Sequence, residues 1–410
     1  MAVSQSSVYA YLKGFKKEFD SHFKNGLIII SEERQSALNA SDVARFLGIN
    51  TFVLPDFRAK FGEDLRSFQE ELSEIFVVLR EFYSCKSPKI LFSPLSTLLY
   101  PLPNAESLQS IELKVGSTLS LKDFKETLFY LGYEFVDLVE LSGEVSIRGE
   151  IIDVFSSQPC RIILFGDEIE SIRTFDVQSQ LCSKEELETL AIPPAFFNLN
   201  AESHTILQNI ILEQQTSFLD IEKSSSLASF GFWYLDKINA AQDFLQTYPF
   251  IVLPNVKEFA KEILEFQEYN EQSVQRILKS KEIPKSEEYQ DFDYHFNTLK
   301  NFLEFHKNKQ ITIIAKTESQ VRQAGITLAD THFKILLNLD ISVNILGKDE
   351  LILSLNSPQK QKKHLKAKIF LDELNIGDYV VHCDYGVAIF NGIVQANIFG
   401  ATRDFIELRY

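Results

Sequence analysis

The chain has few cysteines, four in 410 residues, and Cys85, Cys160, Cys182 and Cys383 form no Cys-x-x-Cys pair. That spacing excludes a zinc ribbon and a dithiol redox motif, and leaves four reduced structural thiols. His382 beside Cys383 is not half of a metal site, because neighbours on a strand point to opposite faces and no second pair follows. No apolar run reaches the roughly 18 residues of a membrane span. The opening Met1-Ala2-Val3-Ser4-Gln5 has neither a charged n-region nor an apolar h-region, so a cytoplasmic protein without membrane contact is expected. The phosphate loop Gly-x-x-x-x-Gly-Lys-Ser/Thr is missing too: Gly347-Lys348 lacks both the earlier glycine and the hydroxyl residue. No catalytic residue, resident metal or cofactor is therefore expected within these residues. Positive charge is also short, with 41 Lys and Arg against 57 Asp and Glu, a formal net charge of -16. A phosphate-neutralising surface needs clustered cations, so protein partners are favoured over nucleic acid.

What is present is a globular composition, 45% hydrophobic and 24% charged. The length exceeds what one core supports, and three or four modules are expected. An α/β fold is predicted, with a small β-rich α+β module inserted into the first domain and a linker and small β-barrel segment behind it. Leu27-Ile28-Ile29-Ile30, Thr51 to Pro55 and Lys89 to Ser93 read as buried strands. Ser41-Asp42 carries helix-start chemistry, and the apolar positions from Leu65 to Phe82 within 63–83 recur in steps of three and four. Residues 1–120 are then the first half of an α/β domain, 121–195 the β-rich module and 196–290 the second half, with a helix over Val256 to Tyr269. A small α/β domain is expected over 291–355 and a basic linker over 356–370. Residues 371–410, punctuated by Gly377, Gly386, Gly392 and Gly400, suit the barrel.

The run from Leu141 to Phe155 is the most informative. Alternation turns Val145 and Ile147 to one face and Ser146 and Arg148 to the other, which leaves Arg148 exposed, while Gly149 permits a bulge or a close approach. The strand from Pro159 puts Arg161, Ile163 and Phe165 on one face, before a Gly166-Asp167 turn. Residues 121–195 carry fifteen acidic and six basic residues, so nucleic acid is repelled there. Arginine beside an exposed ring suits carboxylates and apolar pockets on a partner protein. The competing possibility is that Arg148, Arg161 and Arg173 merely pair across strands with Glu144, Glu168 or Glu170, and the residues alone leave the two evenly balanced.

Gly143-Glu144 through Arg148-Gly149, Ile152 to Phe155, Arg161, Phe165 to Ile169 and Ile172 to Asp176 resemble a motif shared by the excinuclease subunit UvrB and the bacterial transcription-repair coupling factor family. Asp378 to His382, Gly386-Val387, Phe390 to Gly392 and Arg403 to Tyr410 resemble the CarD-like RNA polymerase interaction domain, which UvrB lacks. Together they point to the coupling factors and to transcription-coupled nucleotide excision repair. Cys160, Leu181-Cys182, Tyr385 and Ala388 depart from the family pattern. The resemblance implies a UvrB-like α/β domain, a CarD/Tudor-like barrel, and UvrA binding through Arg148, Arg161 and Phe165. It also implies a grip on the β subunit of RNA polymerase, for which Ile393, Ala396 and Ile398 are the candidate residues. The chain is expected to continue past Tyr410 into an ATP-dependent DNA translocase that uses ATP and Mg²⁺ and holds double-stranded DNA. Two other readings are a UvrB-type DNA-loading module, which needs basic and aromatic surfaces for a single strand, and a diverged helicase-like NTPase. Salt-sensitive single-strand binding would identify the first, micromolar ATP binding the second.

Overall fold

The computed structural model describes residues 5–15, 25–57, 68–156, 158–195, 240–265, 271–328, 331–356, 376–382, 386–398 and 401–409, with five single positions between 202 and 209. Two compact units emerge, residues 1–361 and 362–410.

In the first unit, four parallel strands stand in the order Phe250–Val252, Leu27–Ser31, Lys89–Pro94, Asn50–Val53. Leu27–Ser31 is buried at every position, as an apolar strand covered on both faces must be. The helices Arg34–Phe46 and Gln69–Ser84 contribute Val43, Ala44, Leu72, Ile75, Phe76, Leu79 and Phe82 to the core around this sheet. The expected helix over 63–83 is thus the helix Gln69–Ser84, with 58–67 outside the described residues. Only Glu32 and Glu33 separate Ser31 from the next helix, and Glu33, its N-cap, makes no side-chain cap bond. Two carboxylates stand there in place of the glycine amides that hold a phosphate.

The expected helix start at Ser41-Asp42 is corrected: the helix begins at Arg34, and both residues are buried within it. Local cap chemistry yields to a long-range bond, since Asp42 accepts the backbone N–H of Ser342 at 2.9 Å. The helix Gln5–Phe15 also reaches residues far along the chain. Lys13 Nζ pairs with Glu350 at 2.5 Å, and Gln5 donates to the Ser342 carbonyl at 2.7 Å. A second mixed sheet runs Tyr289–Asp291, Ile345–Gly347, Glu350–Ser354, Gln310–Ile314, Phe333–Leu336. Ile341, Val343, Ile345 and Ile352 share the core of the first sheet, so the later residues complete the interior that the N-terminal ones begin. The helix expected over 256–269 is described over Val256–Glu265. Most of 196–239 and nearly all of the expected linker 356–370 lie outside the described residues.

The inserted module is a five-stranded sheet, in the order Glu168–Thr174, Pro159–Phe165, Ile151–Phe155, Glu144–Arg148, Glu134–Phe135. The strand Ile111–Lys114 pairs antiparallel with Thr189–Ile192, and Leu113, Leu190 and Ile192 join the module's core. That pairing draws its beginning back from 121 to 111. The helix Leu121–Tyr130, capped by Ser120, supplies Phe124 and Leu128 to a core with Val145, Ile152, Val154, Cys160, Ile162 and Leu164.

The second unit is a three-stranded antiparallel sheet, Tyr379–His382, Gly386–Ile398, Ala401–Arg409. The expected barrel segment is not confirmed: among the described residues these three strands form an open sheet. A register shift between Phe390 and Gly392, with Gly392 at φ 121°, bends its long middle strand.

Candidate functional site

The module's helix-covered face holds its apolar core, and the opposite face of the same sheet is the candidate site. Alternation sets its membership. Arg148 lies opposite Ile151 and Ile151 opposite Ile163; Ser146 lies opposite Asp153 and Asp153 opposite Arg161. Two rows therefore cross the strands, one apolar with an arginine at its end, one polar. Two-residue turns close the hairpins at Gly149-Glu150 and Gly166-Asp167, each with the glycine at φ 62°. A glycine first in a two-residue hairpin turn is what the twist of the strands selects. A Cβ at Gly149 meets nothing within 4 Å, so this glycine is kept for its dihedral and makes neither a bulge nor a close approach.

Asp153 organises the polar row. Its side chain is 1% exposed, and it accepts from Arg148 Nη2 at 2.6 Å, Arg161 Nε at 2.6 Å and Arg161 Nη2 at 2.9 Å. One carboxylate between two guanidinium groups leaves a formal surplus of one positive charge, inside a module that is otherwise acidic. The hydrogen bonds to Asp153 hold the Arg161 guanidinium above its ordinary pKa, and with it the positive charge.

The competing possibility of cross-strand pairs holds in part, with a different carboxylate. Asp153, not a glutamate, pairs with Arg148 and Arg161. Arg173 reaches Glu186 at 3.9 Å. Glu144 instead accepts the backbone N–H groups of Glu140 and Leu141, both at 2.8 Å.

Exposure divides the three carried-over residues. The Phe165 side of the face is open, with Phe165 77% exposed and Ile151 36%. Arg148 is 48% exposed, as alternation predicts. Arg161 is on the predicted face but is only 17% exposed, because the loop around Gln180 covers it. Gln180 adopts φ 58° and presents its carbonyl to Arg161 Nη1 at 3.2 Å. Phe175 lies under the guanidinium, with ring centroid and Cζ 5.1 Å apart. On the other half, the Asp137 carbonyl accepts from Ser146 Oγ at 2.9 Å. Loops on both sides thus cover the polar row and leave the apolar row open.

Exposed Phe135, Leu141 and Leu181 also belong to this module and were not among the site residues expected from the sequence. In the second unit, Ile393, Ala396 and Ile398 lie on the middle strand and pair with Ile406, Arg403 and Ala401. Their side chains lie outside the described residues. Ala388 and Phe390 are buried, whereas Ile376, Tyr379 and Val387 are 74%, 78% and 64% exposed. Strand alternation is a signal for Tyr379 alone, since Ile376 precedes that strand and Val387 lies on the next. No described helix is long and apolar enough to cross a membrane, and the described residues contain no cluster of three metal-ligating side chains.

Residues 111–196 match the family of the UvrB interaction domain, and residues 374–410 match that of the CarD-like/TRCF RID domain. Along 99% of its length the chain is 36% identical to the transcription-repair-coupling factor of Helicobacter pylori strain 26695, of which it covers 40%. Identity to the protein of that name from H. pylori strain J99 is 34%, with the same coverage. A more distant one, from Staphylococcus haemolyticus, is 22% identical over 81% of the chain. The chain spans about two-fifths of the length of the curated Helicobacter relatives that it matches.

Proposed function

We propose that this chain belongs to the transcription-repair-coupling factor family and is the docking region of such a factor in nucleotide excision repair, a reading supported by similarity along nearly its whole length. The open face of the module recruits UvrA, through the surface that carries Arg148, Arg161 and Phe165. The sheet of the second unit engages RNA polymerase at its β subunit, with Ile376, Tyr379 and Val387 as exposed apolar residues on or beside its first hairpin. Recognition is the work of these residues. ATP and Mg²⁺ serve the translocase of the whole protein, which also holds double-stranded DNA, and that protein acts in the cytoplasm.

The observation that carries the UvrA reading is one cationic, partly apolar face on an acidic module. Arginine and aromatic residues supply most of the affinity at protein interfaces, and an arginine held by a buried carboxylate is oriented before the partner arrives. The cost of ordering it on binding is correspondingly small. The chain is expected to bind purified UvrA in a calorimetric titration, with binding abolished by Arg148→Glu and Phe165→Ala together. Undiminished binding by that double variant, at wild-type melting temperature, overturns the reading.

A further inference from the structure

The two arginines of this face are not equivalent. A guanidinium has five N–H donors, and those of Arg161 all have acceptors inside the module. Nε donates to Asp153 Oδ1 at 2.6 Å, and Nη2 to Asp153 Oδ2 at 2.9 Å and Gln180 Oε1 at 3.5 Å. Nη1 donates to the Gln180 carbonyl at 3.2 Å and to Cys182 Sγ at 3.8 Å. One face of the group is taken by Phe175. Arg148 differs: its bond within the described residues is the single one from Nη2 to Asp153 Oδ2 at 2.6 Å, and its side chain is 48% exposed.

Building on the UvrA reading, we propose that Arg161 is a positioning residue and that Arg148, with the apolar row of Ile151 and Ile163 and the ring of Phe165, makes the contact. Arg161 saturates Asp153 from one side and ties the loop through Gln180 and Cys182 to the sheet. Arg148 is held against the same carboxylate by one nitrogen, which leaves the rest of its fork for a partner. A carboxylate of UvrA can then be taken bidentately by Arg148, while an apolar side chain packs on Ile151 and Ile163 beside Phe165. Engaging Arg161 directly requires breaking bonds that are already made and moving the loop. Arg148 requires neither.

A double-mutant cycle on UvrA affinity separates the two roles. Arg148→Ala and Phe165→Ala are each expected to weaken binding at least tenfold. Arg161→Ala is expected to weaken it in the wild-type background but by less than twofold once Arg148 is already alanine. Amide exchange around Gln180 should quicken in Arg161→Ala and stay unchanged in Arg148→Ala, which a residue that only touches the partner does not produce. If Arg161→Ala fails to fold, Arg161→Lys carries the same comparison, because it keeps the charge but cannot span both oxygens of Asp153. Losses that multiply, with exchange near Gln180 unaltered, make Arg161 a direct contact and overturn the proposal. Wild-type affinity in both Arg148→Ala and Phe165→Ala is a different result: it removes the UvrA reading itself.

Discussion

Asp153 stands directly opposite Arg161 on the neighbouring strand, and its carboxylate takes Nε and Nη2 of that guanidinium at 2.6 and 2.9 Å. The pair is nearly buried, so removal of one member leaves the other without compensation. Asp153→Ala is expected to destabilise the module by roughly 3 kcal/mol, read from the urea midpoint. Asp153→Asn should cost less, because it keeps one acceptor oxygen. Equal midpoints for all three proteins contradict this account of the sheet.

Phe165 gives the opposite pairing of effects. Its ring is 77% exposed, so Phe165→Ala should shift folding stability by no more than about 0.5 kcal/mol. The same change should lower UvrA affinity by at least about 1.4 kcal/mol. Parallel losses in stability and affinity mean that the ring belongs to the fold.

Asp42 supplies a pH dependence. Burial raises its pKa from 3.8 to about 6, against the pull of the Ser342 amide and Arg45, and Asp340 raises it further. The folded state thus holds the proton more tightly than the unfolded chain. That contribution is fully present below about 3.8 and is lost as pH rises through about 6. Asp42→Asn is neutral at every pH, and its stability relative to wild type should rise between pH 4 and 7 by on the order of 1–3 kcal/mol. A difference that stays flat across this window shows that the carboxylate is solvated.

Lys89 is 6% exposed at the start of its strand. It donates to the Phe82 carbonyl and, at 2.9 Å, to that of Cys85, at the end of the helix Gln69–Ser84. Its ammonium also lies 4.4 Å from the Phe82 ring centroid. Lys89→Met keeps the aliphatic stem but leaves those carbonyls without a charged donor, and should cost roughly 1–3 kcal/mol in thermal unfolding. An unchanged melting temperature contradicts a capping role.

Strand periodicity made the candidate face legible: a period of two fixes which side chains share a side, and Arg161, Ile163 and Phe165 do. The depth of Arg161 was not legible, because it depends on a loop some twenty residues later that folds back through Gln180. The partner of both arginines was missed for a related reason. Asp153 lies between apolar neighbours in Ile151-Ile152-Asp153-Val154, and only the register of three strands brings it between Arg148 and Arg161. The same limit explains Asp42, read as a helix start because a short acid after a serine resembles a cap. Its real partner is an amide three hundred positions away. Local pattern gave strands and faces; tertiary contacts decided burial and charge pairing.

If the module offers UvrA a UvrB-like surface, this chain and UvrB compete for it. Labelled UvrB bound to UvrA should be displaced by rising concentrations of this chain, with anisotropy falling to that of free UvrB, while Arg148→Glu displaces none. Formation of a stable ternary complex of this chain, UvrA and UvrB, with no displacement at saturation, contradicts the account.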